Sequence, residues 1–408
     1  MLKIDQVSIT NYKNLFVEQL DLKNFNVIVG PNNSGKSNFI QIFSFLNYII
    51  NGSVDQIKND FTIGYITGFG RIIPSSNDAK NGEIGISIRF SDTISDFQYH
   101  FQIELEWKLQ GTSLWERQLS IKSEEFDYKE IHRTGPPINI FKRTSNKVTF
   151  SKILKRNIGI DSLPIDVSVI NLLKVVSQES RNENISEALK ALDYILKTET
   201  IYFSNLELSK SEKNRINKYA GRTVAFDLVK EIYDLSKKKE IFEYFKDTLK
   251  NILKIDDVQV YEFKPGNQKD EASKIEYFLF FIHLGASKSI WDFSDGTILL
   301  IALITKILIS DSDVFLIEEP ENSLHPQALV DLISFFRSFE ESKQFVIASH
   351  SIAIINKVKP EDVIIAQCMD DGTSQLKRVE NSTELKRTLK QGFIEFSDLL
   401  FFNSDDLD

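Results

Sequence analysis

The chain opens with two strand-like segments, a glycine-rich turn and a helix-like segment. LKIDQVSIT alternates apolar and polar residues as a half-buried strand does, and Phe25–Val29 is a short apolar run typical of a buried strand. Residues 37–50 carry apolar side chains at three- and four-residue spacing, which predicts a helix. Asn51 and Gly52 predict its end, with Gly52 in the left-handed cap position.

The middle of the chain changes from alternating to helical periodicity. Between about 83 and 150, alternating runs separated by turn residues predict an antiparallel meander with one face in water. A Gly-Pro-Pro sequence at 135–137 predicts a loop within it. Between about 151 and 253, the spacing of apolar residues predicts mostly helices.

Strands and helices alternate in the last part of the chain. DVQVYEF and KIEYFLFFIHLG predict two strands. The elements predicted after them are a helix over 296–309, a strand over 314–317, a helix over 326–339, a strand over 345–348, a short helix and a strand over 363–366. Because such alternation builds a parallel sheet covered by helices, the sequence predicts an α/β fold.

The composition is that of a soluble globular protein. The 408 residues are 42% hydrophobic and 11% aromatic, which excludes a disordered chain. The single cysteine, Cys368, excludes an internal disulfide framework and a multi-cysteine zinc site. No signal peptide is expected after Met1, and the longest apolar run, 298–309, is too short to span a bilayer. We therefore expect a cytoplasmic protein without membrane contact, whose net charge of −9 argues against a nucleic-acid coat.

The clearest motif is GPNNSGKS, which lies between the predicted buried strand and the predicted helix. This G-x-x-x-x-G-K-S pattern in that context is typical of a phosphate-binding P-loop. Its glycines permit a tight turn whose N–H groups face an anion. Lys36 is placed to reach the β- and γ-phosphates of ATP, and the Ser37 hydroxyl to ligate Mg²⁺. The nucleotide-binding residues predicted here are Gly30, Asn32, Asn33, Ser34, Gly35, Lys36 and Ser37.

A second candidate site follows the apolar run VFLI, which ends in the acidic sequence EEPE. Ligands of parallel sheets bind beyond the carboxyl ends of the strands. Glu318 can hold Mg²⁺ through water, and Glu319 can orient and deprotonate the attacking water. A solvated turn is the alternative for adjacent acids at a strand end, and the preceding P-loop favours the catalytic interpretation.

Two shorter motifs complete the series. FSDGT brings the Ser294 hydroxyl and Gly296 to a helix N-terminus, which can bind an anion. Taken alone, it is an ordinary helix cap. SHS follows the next predicted strand, and His350 there can donate a hydrogen bond to a γ-phosphate. The remaining histidines are interpreted as structural: His100, His132, His283 and His325.

The order of these four motifs resembles that of the ABC-class ATPases, and more narrowly of their RecF/SMC-like branch. FSDGTILLIALI, DVFLIEEPENSLHPQALVDLI and QFVIASHS are similar to the ATP-binding proteins of bacterial anti-phage systems of the OLD, Septu and PARIS types. The opening ITNYKNL and VIVGPNNSGKSNFI are similar to the same group. The resemblance covers roughly residues 1–50 and 270–368, whereas 60–260 resemble the group only in having a strand-rich lobe and a helical insertion.

The resemblance implies a P-loop ABC-type ATPase head that forms a homodimer, head to tail around ATP, or a higher oligomer. Ser294 and Gly296 would contact the γ-phosphate of ATP held by a second subunit. Glu319 would be the catalytic base and His350 the switch histidine, while the loop at 322–323 would cross the dimer interface.

Two features depart from the group's pattern. Glu318 stands where the group usually has Asp, so the carboxylate reaches one methylene further towards Mg²⁺. The glutamine of the ABC Q-loop is not identified, and Gln98 and Gln178 are the candidates.

We expect four segments on these grounds. Residues 1–150 hold the P-loop strand and helix with an antiparallel β lobe, 151–255 a mostly helical insertion, 256–372 the other three motifs, and 373–408 a C-terminal helix and acidic tail. In nucleases of the OLD type, a segment similar to DLLFF leads into a TOPRIM domain, and no such domain is expected here. The tail is interpreted either as a final packed helix or as a docking segment for a separate effector.

One region departs from the acidic average. Residues 131–160 contain no Asp or Glu. Their basic residues are Arg133, Lys142, Arg143, Lys147, Lys152, Lys155 and Arg156. The sequence leaves two interpretations open: a salt-sensitive site for nucleic acid, or a solvated face.

Together with the four motifs, the resemblance implies an ATP-hydrolysing sensor or scaffold in anti-phage defence, acting with a separate nuclease or toxin. A RecF-like DNA repair ATPase is the alternative. A transporter subunit is disfavoured because the signature is SDG instead of SGG and the insertion is large, and a stand-alone kinase has no use for the SDG and SHS motifs.

Overall fold

The structure is a computed structural model that describes residues 1–63, 81–109, 117–155, 160–177, 183–202, 228–263, 276–321 and 324–379. The strands in these ranges are β1 (Leu2–Tyr12), β2 (Leu15–Asp21), β3 (Phe25–Val29), β4 (Asn81–Asp92), β5 (Phe97–Leu109), β6 (Arg117–Glu130), β7 (Ile138–Thr144), β8 (Lys147–Phe150), β9 (Glu199–Tyr202), β10 (Ile255–Phe263), β11 (Glu276–His283), β12 (Ala286–Ser289), β13 (Val314–Glu318), β14 (Gln344–Ser349), β15 (Val363–Cys368) and β16 (Ser374–Arg378). The helices are α1 (Lys36–Asn51), α2 (Val54–Ile63), α3 (Lys152–Lys155), α4 (Val169–Ser177), α5 (Glu183–Leu196), α6 (Leu228–Ser236), α7 (Lys239–Leu253), α8 (Asp295–Ile309), α9 (Pro326–Arg337) and α10 (Ile352–Ile355).

Most of the described strands form one large sheet. Its order is β8-β7-β6-β5-β4-β1-β2-β16-β15-β3-β14-β13-β9. The strands from β8 to β2 are antiparallel, as the alternating runs predict. From β15 through β3, β14 and β13 to β9 the strands are parallel. The predicted α/β fold with an antiparallel β lobe is therefore confirmed, and both parts share one sheet. A second sheet, β10-β11-β12, leads into α8.

Helices cover both faces of the parallel part of the sheet. Along β13, Val314 and Leu316 belong to the core that contains α1, α4, α5 and the antiparallel lobe. Phe315 and Ile317 belong to the core that contains α6, α7, α8 and α9. Because both faces of the strand are buried, its sequence is a continuous apolar run instead of an alternating one.

Four of the described strands have no clear pattern in the sequence: β2, β9, β12 and β16. Strand β9 has only four residues and pairs along the sheet edge with β13, inside the stretch predicted to be helical. Strand β16 is the polar run SQLKR, which pairs with β15 and meets β2 at one position. Such short strands are defined by their partners, and a single segment of sequence does not contain that information.

The prediction of a left-handed cap at Gly52 is wrong. Gly52 has φ −70° and ψ 167°, which is extended backbone, and its N–H donates to the carbonyl of Tyr48. A Cβ atom at this position would lie 2.5 Å from that carbonyl oxygen. Glycine is therefore required here by close approach to the preceding turn of α1, not by a positive φ.

One arginine of the basic region at 131–160 is an internal structural residue. Arg143 on β7 is fully buried, and burial lowers its pKa while the buried Glu124 opposes that shift. Its guanidinium donates hydrogen bonds to the backbone carbonyls of Ser145, Pro164 and Val167. The nucleic-acid interpretation is wrong for this residue, because a guanidinium that holds three internal carbonyls is not free to bind phosphate.

The exposed part of the same region is partly paired with acids. Lys142 lies 2.8 Å from the carboxylate of Glu125 on the neighbouring strand, and Arg133 lies 4.0 Å from Glu130. The structure does not describe the side chain of Lys155, and Arg156 lies outside the described residues. These pairs agree with a solvated face that balances acidic neighbours.

Several other predictions fall outside the described residues. They include Gln178, the loop at 322–323 and the tail from 380 to 408. The segment predicted as C-terminal helix begins with strand β16 instead. Among the helices that the structure describes, none combines the length and apolar character needed to cross a membrane.

Candidate functional site

The parallel strands bring three of the four motifs to one edge of the sheet. Strands β3, β14 and β13 are neighbours, with Val29 beside Ser349 and Ala348 beside Glu318. The P-loop follows β3, the acidic sequence follows β13, and His350 follows β14. The carboxyl ends of parallel strands meet at one edge, which is where open α/β sheets bind ligands.

The P-loop takes a conformation that its residue types permit. Gly35 is the N-cap of α1 with φ +89°, and Asn33 has φ +67°. A Cβ atom on Gly30 would lie 2.2 Å from the carbonyl oxygen of Ala366, and one on Gly35 would lie 2.6 Å from Leu15. Both glycines are therefore needed for the turn that precedes α1.

Lys36 connects the P-loop to the acidic motif. Its side chain is buried, and its Nζ donates to the carbonyls of Gly30 at 2.7 Å and Pro31 at 2.8 Å. Burial lowers the pKa of Lys36, and the nearby carboxylates of the acidic motif oppose that shift. These are, in order of effect, Glu319, Glu321 and Glu318. The ammonium of Lys36 thus lies within electrostatic range of three carboxylates at the end of β13, the next strand but one from β3.

The other P-loop side chains differ in exposure. Asn32 and Asn33 are exposed, and Ser37 is half-buried in the first turn of α1. The Ser34 hydroxyl is buried and has no hydrogen-bond partner among the described residues. A buried polar group without a partner inside a P-loop is a site that an added acceptor or donor can satisfy.

Asn14, to which the sequence interpretation assigns no role, holds the P-loop from the side. Its Nδ2 donates to the Ser374 hydroxyl at 2.7 Å and to the carbonyl of Asn33 at 3.3 Å. Its Oδ1 accepts from Asn38 of α1 at 2.7 Å. In the sequence, Asn14 is visible only as the second asparagine of ITNYKNL. Its partner Ser374 lies on a strand that the sequence does not reveal.

Glu319 lies at a strained position directly after β13. Its φ is +50°, a left-handed conformation that is uncommon for residues other than glycine, and its N–H donates to the carbonyl of Ala348 at 2.8 Å. Strained residues of this kind concentrate at functional sites. Glu318 is the last residue of β13, so adjacent carboxylates take different backbone conformations.

Glu321 links the acidic motif to the SHS motif. Its Oε1 accepts from the Ser349 hydroxyl at 2.8 Å and from the backbone N–H of His350 at 2.7 Å. The same oxygen lies 3.1 Å from Nδ1 of His350. The sequence interpretation assigns no role to Glu321, although the residue stands within the quoted EEPE.

The SDG motif forms a helix cap. Ser294 is exposed, is the N-cap of α8, and its hydroxyl accepts from the N–H of Thr297 at 3.3 Å and lies 2.9 Å from that residue's hydroxyl. Gly296 is buried in the first turn. Helix α8 packs against α6 and α7. The cap interpretation of this motif is therefore confirmed, and contact with a nucleotide stays a prediction.

Comparison with known proteins identifies the family. Residues 25–356 match the family described as "AAA domain, putative AbiEii toxin, Type IV TA system". The chain belongs to this AAA family. The matched range begins at β3, directly before the P-loop, and ends just after α10, so it includes all four motifs.

Solved structures similar to this AAA-family chain are heads of SMC proteins. The SMC head domain from Thermotoga maritima has 12% identity and a TM-score of 0.43, over 93% of this chain and 99% of that one. The Smc head domain with an extended coiled coil from Pyrococcus furiosus, bound to the C-terminal domain of ScpA, has 12% identity and a TM-score of 0.47, over 96% and 100%. No curated protein matches the chain.

The donor set of the AAA-family site suits a hard cation held together with phosphates. Ser37 offers a hydroxyl and Glu318 a carboxylate, the oxygen ligands that Mg²⁺ takes in nucleotide sites. Among the described residues, no cluster of three His, Cys, Asp or Glu side chains can hold a metal ion by itself. A Mg²⁺ ion here would therefore take its remaining ligands from water and from the nucleotide.

Gln98 does not lie at this edge of the sheet. It stands on β5 of the antiparallel lobe, paired with Ser91 and Lys129, and its side chain hydrogen-bonds to Asp5. The position therefore offers no support for Gln98 as the Q-loop glutamine.

Proposed function

We propose that this AAA-family chain binds ATP with Mg²⁺ and hydrolyses it, and that two chains join head to tail around the nucleotide. The observation that carries the proposal is the convergence at one sheet edge. There the buried ammonium of Lys36 lies within electrostatic range of the carboxylates of Glu318 and Glu319, and Glu321 of the same loop contacts His350.

Each residue then has a definite task. The P-loop N–H groups and Lys36 bind the β- and γ-phosphates, and Ser37 with Glu318 would hold Mg²⁺. The ion supplies charge stabilisation at the phosphate oxygens. Glu319 orients the attacking water and takes its proton, and His350 donates a hydrogen bond to the γ-phosphate.

The dimer is proposed because a P-loop covers one side of a nucleotide. Ser294 is exposed at the N-terminus of α8, where the positive end of the helix dipole favours an anion. In the ABC-class arrangement this cap lies over the nucleotide of a second chain, and one two-fold axis produces two equivalent sites. Gly296 belongs to the same turn, and a side chain there would add bulk to a buried position.

We further propose that the nucleotide-bound dimer acts as a sensor or scaffold in anti-phage defence. The motif resemblance to OLD, Septu and PARIS proteins supports this setting, and a description that names a toxin of a type IV TA system is in keeping with it. The destructive chemistry would belong to a separate nuclease or toxin. Hydrolysis would remove the bridging phosphate and loosen the dimer, which converts nucleotide state into a signal.

Molar mass in solution tests the ATP-dependent dimer. The wild-type chain, mixed with Mg²⁺ and an ATP analogue that resists hydrolysis, should double its molar mass by light scattering, or reach a higher multiple. With ADP it should return to the nucleotide-free value. Lys36→Ala is the matched control and should not respond. A wild-type mass that is independent of nucleotide would contradict the proposal.

A further inference from the structure

We propose that Glu321 is a positioning residue that holds the proton of His350 on Nδ1 and thereby presents Nε2 to the nucleotide. This inference rests on the proposed function only for its catalytic consequence. Its structural content concerns the nucleotide-free chain and is testable there.

The proposal begins with the contacts of one oxygen atom. Oε1 of Glu321 accepts from the Ser349 hydroxyl and the His350 backbone N–H, at 2.8 and 2.7 Å. These two bonds fix the carboxylate against the end of β14. The third neighbour of Oε1 is Nδ1 of the His350 ring, at 3.1 Å.

The chemistry of the pair determines where the ring proton lies. An ionised carboxylate only accepts hydrogen bonds, and a neutral imidazole carries one N–H and one lone pair. A lone pair on Nδ1 would face the carboxylate oxygen at 3.1 Å and be repelled, so this nitrogen carries the proton. Nε2 then carries the lone pair in the nucleotide-free chain. It can donate to the γ-phosphate only in the imidazolium form, whose Nδ1–H Glu321 holds on the opposite side of the ring.

Burial and charge favour a functional role for this arrangement. The Glu321 side chain is 9% exposed, whereas that of His350 is 49% exposed. Oε2 of Glu321 is buried without a hydrogen-bond partner among the described residues, which a purely structural carboxylate normally avoids. Glu321 is also one of the three carboxylates that act on the ammonium of Lys36, so the same acid is linked to the P-loop and to His350.

Two of the other four histidines provide internal references for the tautomer of His350. Nδ1 of His325 accepts the N–H of Gln327 at 3.3 Å, and Nδ1 of His283 lies 3.0 Å from the ammonium of Lys288. Both rings must therefore carry their proton on Nε2 when neutral. His350 is predicted to be the opposite tautomer.

Nitrogen NMR on ¹⁵N-histidine-labelled, nucleotide-free protein measures the tautomers. At about pH 8.5, where histidine is ordinarily neutral, long-range ¹H–¹⁵N correlations distinguish the two forms. The His350 signal, identified by its loss in His350→Gln, should show Nδ1–H, while His283 and His325 show Nε2–H. Glu321→Gln should preserve the Nδ1–H form because its amide oxygen still accepts. Glu321→Ala should move the proton to Nε2, the form that free histidine favours.

A wild-type His350 with its proton on Nε2, or a Glu321→Ala variant with an unchanged tautomer, would overturn the inference. The wild-type tautomer alone decides the question, so poor folding of the alanine variant does not remove the test. The reference signals of His283 and His325 report whether each variant is folded.

Kinetics provides a second readout that depends on the proposed function. Glu321→Ala and His350→Ala should each lower kcat for ATP on the order of tenfold or more, and the double variant should lose no more than the worse single variant. Glu321→Gln should retain most activity. Losses that multiply would overturn the coupling. A wild-type chain without ATPase activity would contradict the proposed function and leave the tautomer test intact.

Discussion

Glu319→Gln is expected to leave ATP binding intact and to slow hydrolysis on the order of a hundredfold or more. Glutamine has nearly the same shape as glutamate and keeps the strained backbone at φ +50°, but it cannot take a proton from water. With hydrolysis blocked, the ATP-bound dimer should accumulate. Phosphate release under saturating ATP, with calorimetry for binding and light scattering for mass, measures all three effects.

Glu318→Gln is the matched control for this substitution, because the two acids are adjacent and both lie near Lys36. We expect Glu318→Gln to weaken the binding of Mg²⁺ and to leave the catalytic base in place, so higher Mg²⁺ concentrations should partly restore the rate. Normal turnover by Glu319→Gln together with a dead Glu318→Gln would show that the roles of the two carboxylates are reversed.

Lys36→Ala is expected to abolish measurable ATP binding. Lys36 is the P-loop cation, it is buried, and its ammonium already lies among backbone carbonyls and carboxylates at the edge where the phosphates would bind. Without the Lys36 ammonium, the three carboxylates would repel the negatively charged phosphates, and no cation of the P-loop motif would balance that charge. Isothermal calorimetry or a filter assay with labelled ATP measures the loss.

Lys36→Met separates the charge from packing, because it keeps most of the buried aliphatic stem and removes the ammonium. It should fail to bind ATP as Lys36→Ala does while keeping the thermal stability of the wild type more closely. Lys190→Ala, an exposed lysine on α5, should bind normally. Wild-type affinity in either Lys36 variant would contradict the assignment of the nucleotide site.

The parts of the fold that follow local patterns are predictable from the sequence. The run VFLI is continuously apolar, and Phe25–Val29 is apolar except for the buried Asn26, because helices bury both faces of their strands. The glycines of the P-loop are recognisable because only their small size permits the turn before α1. The antiparallel strands of the β lobe are predictable because their apolar and polar residues alternate along the sequence.

The parts that depend on distant partners are not predictable in this way. Asn14 and Ser374 are separated by 360 residues, and Glu321 and His350 by 29, so neither contact leaves a local signal. Arg143 has the same local sequence character as exposed Lys142, and only the fold decides which of the two is buried. Gly52 ends α1, as glycines often do, but the reason is its close approach to the Tyr48 carbonyl and not a left-handed backbone.

We expect the active site to be composite, completed by a second chain, and mixing two inactive variants distinguishes such a site from one within a single chain. Lys36→Ala removes the P-loop cation, and Ser294→Arg blocks the cap of α8 with a bulky side chain. In a mixed head-to-tail dimer, one site carries both lesions and the other carries neither. Random mixing in equal amounts makes half of the dimers mixed, each with one of two sites intact, so about a quarter of wild-type activity should return.

The matched control is a chain that carries both substitutions, because its mixture with either single variant contains no intact site and should stay inactive. The decisive measurement is the ATPase rate of the equal mixture, with mixed dimers verified by two affinity tags. A composite site should restore the rate towards about a quarter of the wild-type value. No recovery in verified mixed dimers, or ATP hydrolysis by a wild-type chain that stays strictly monomeric, would contradict it.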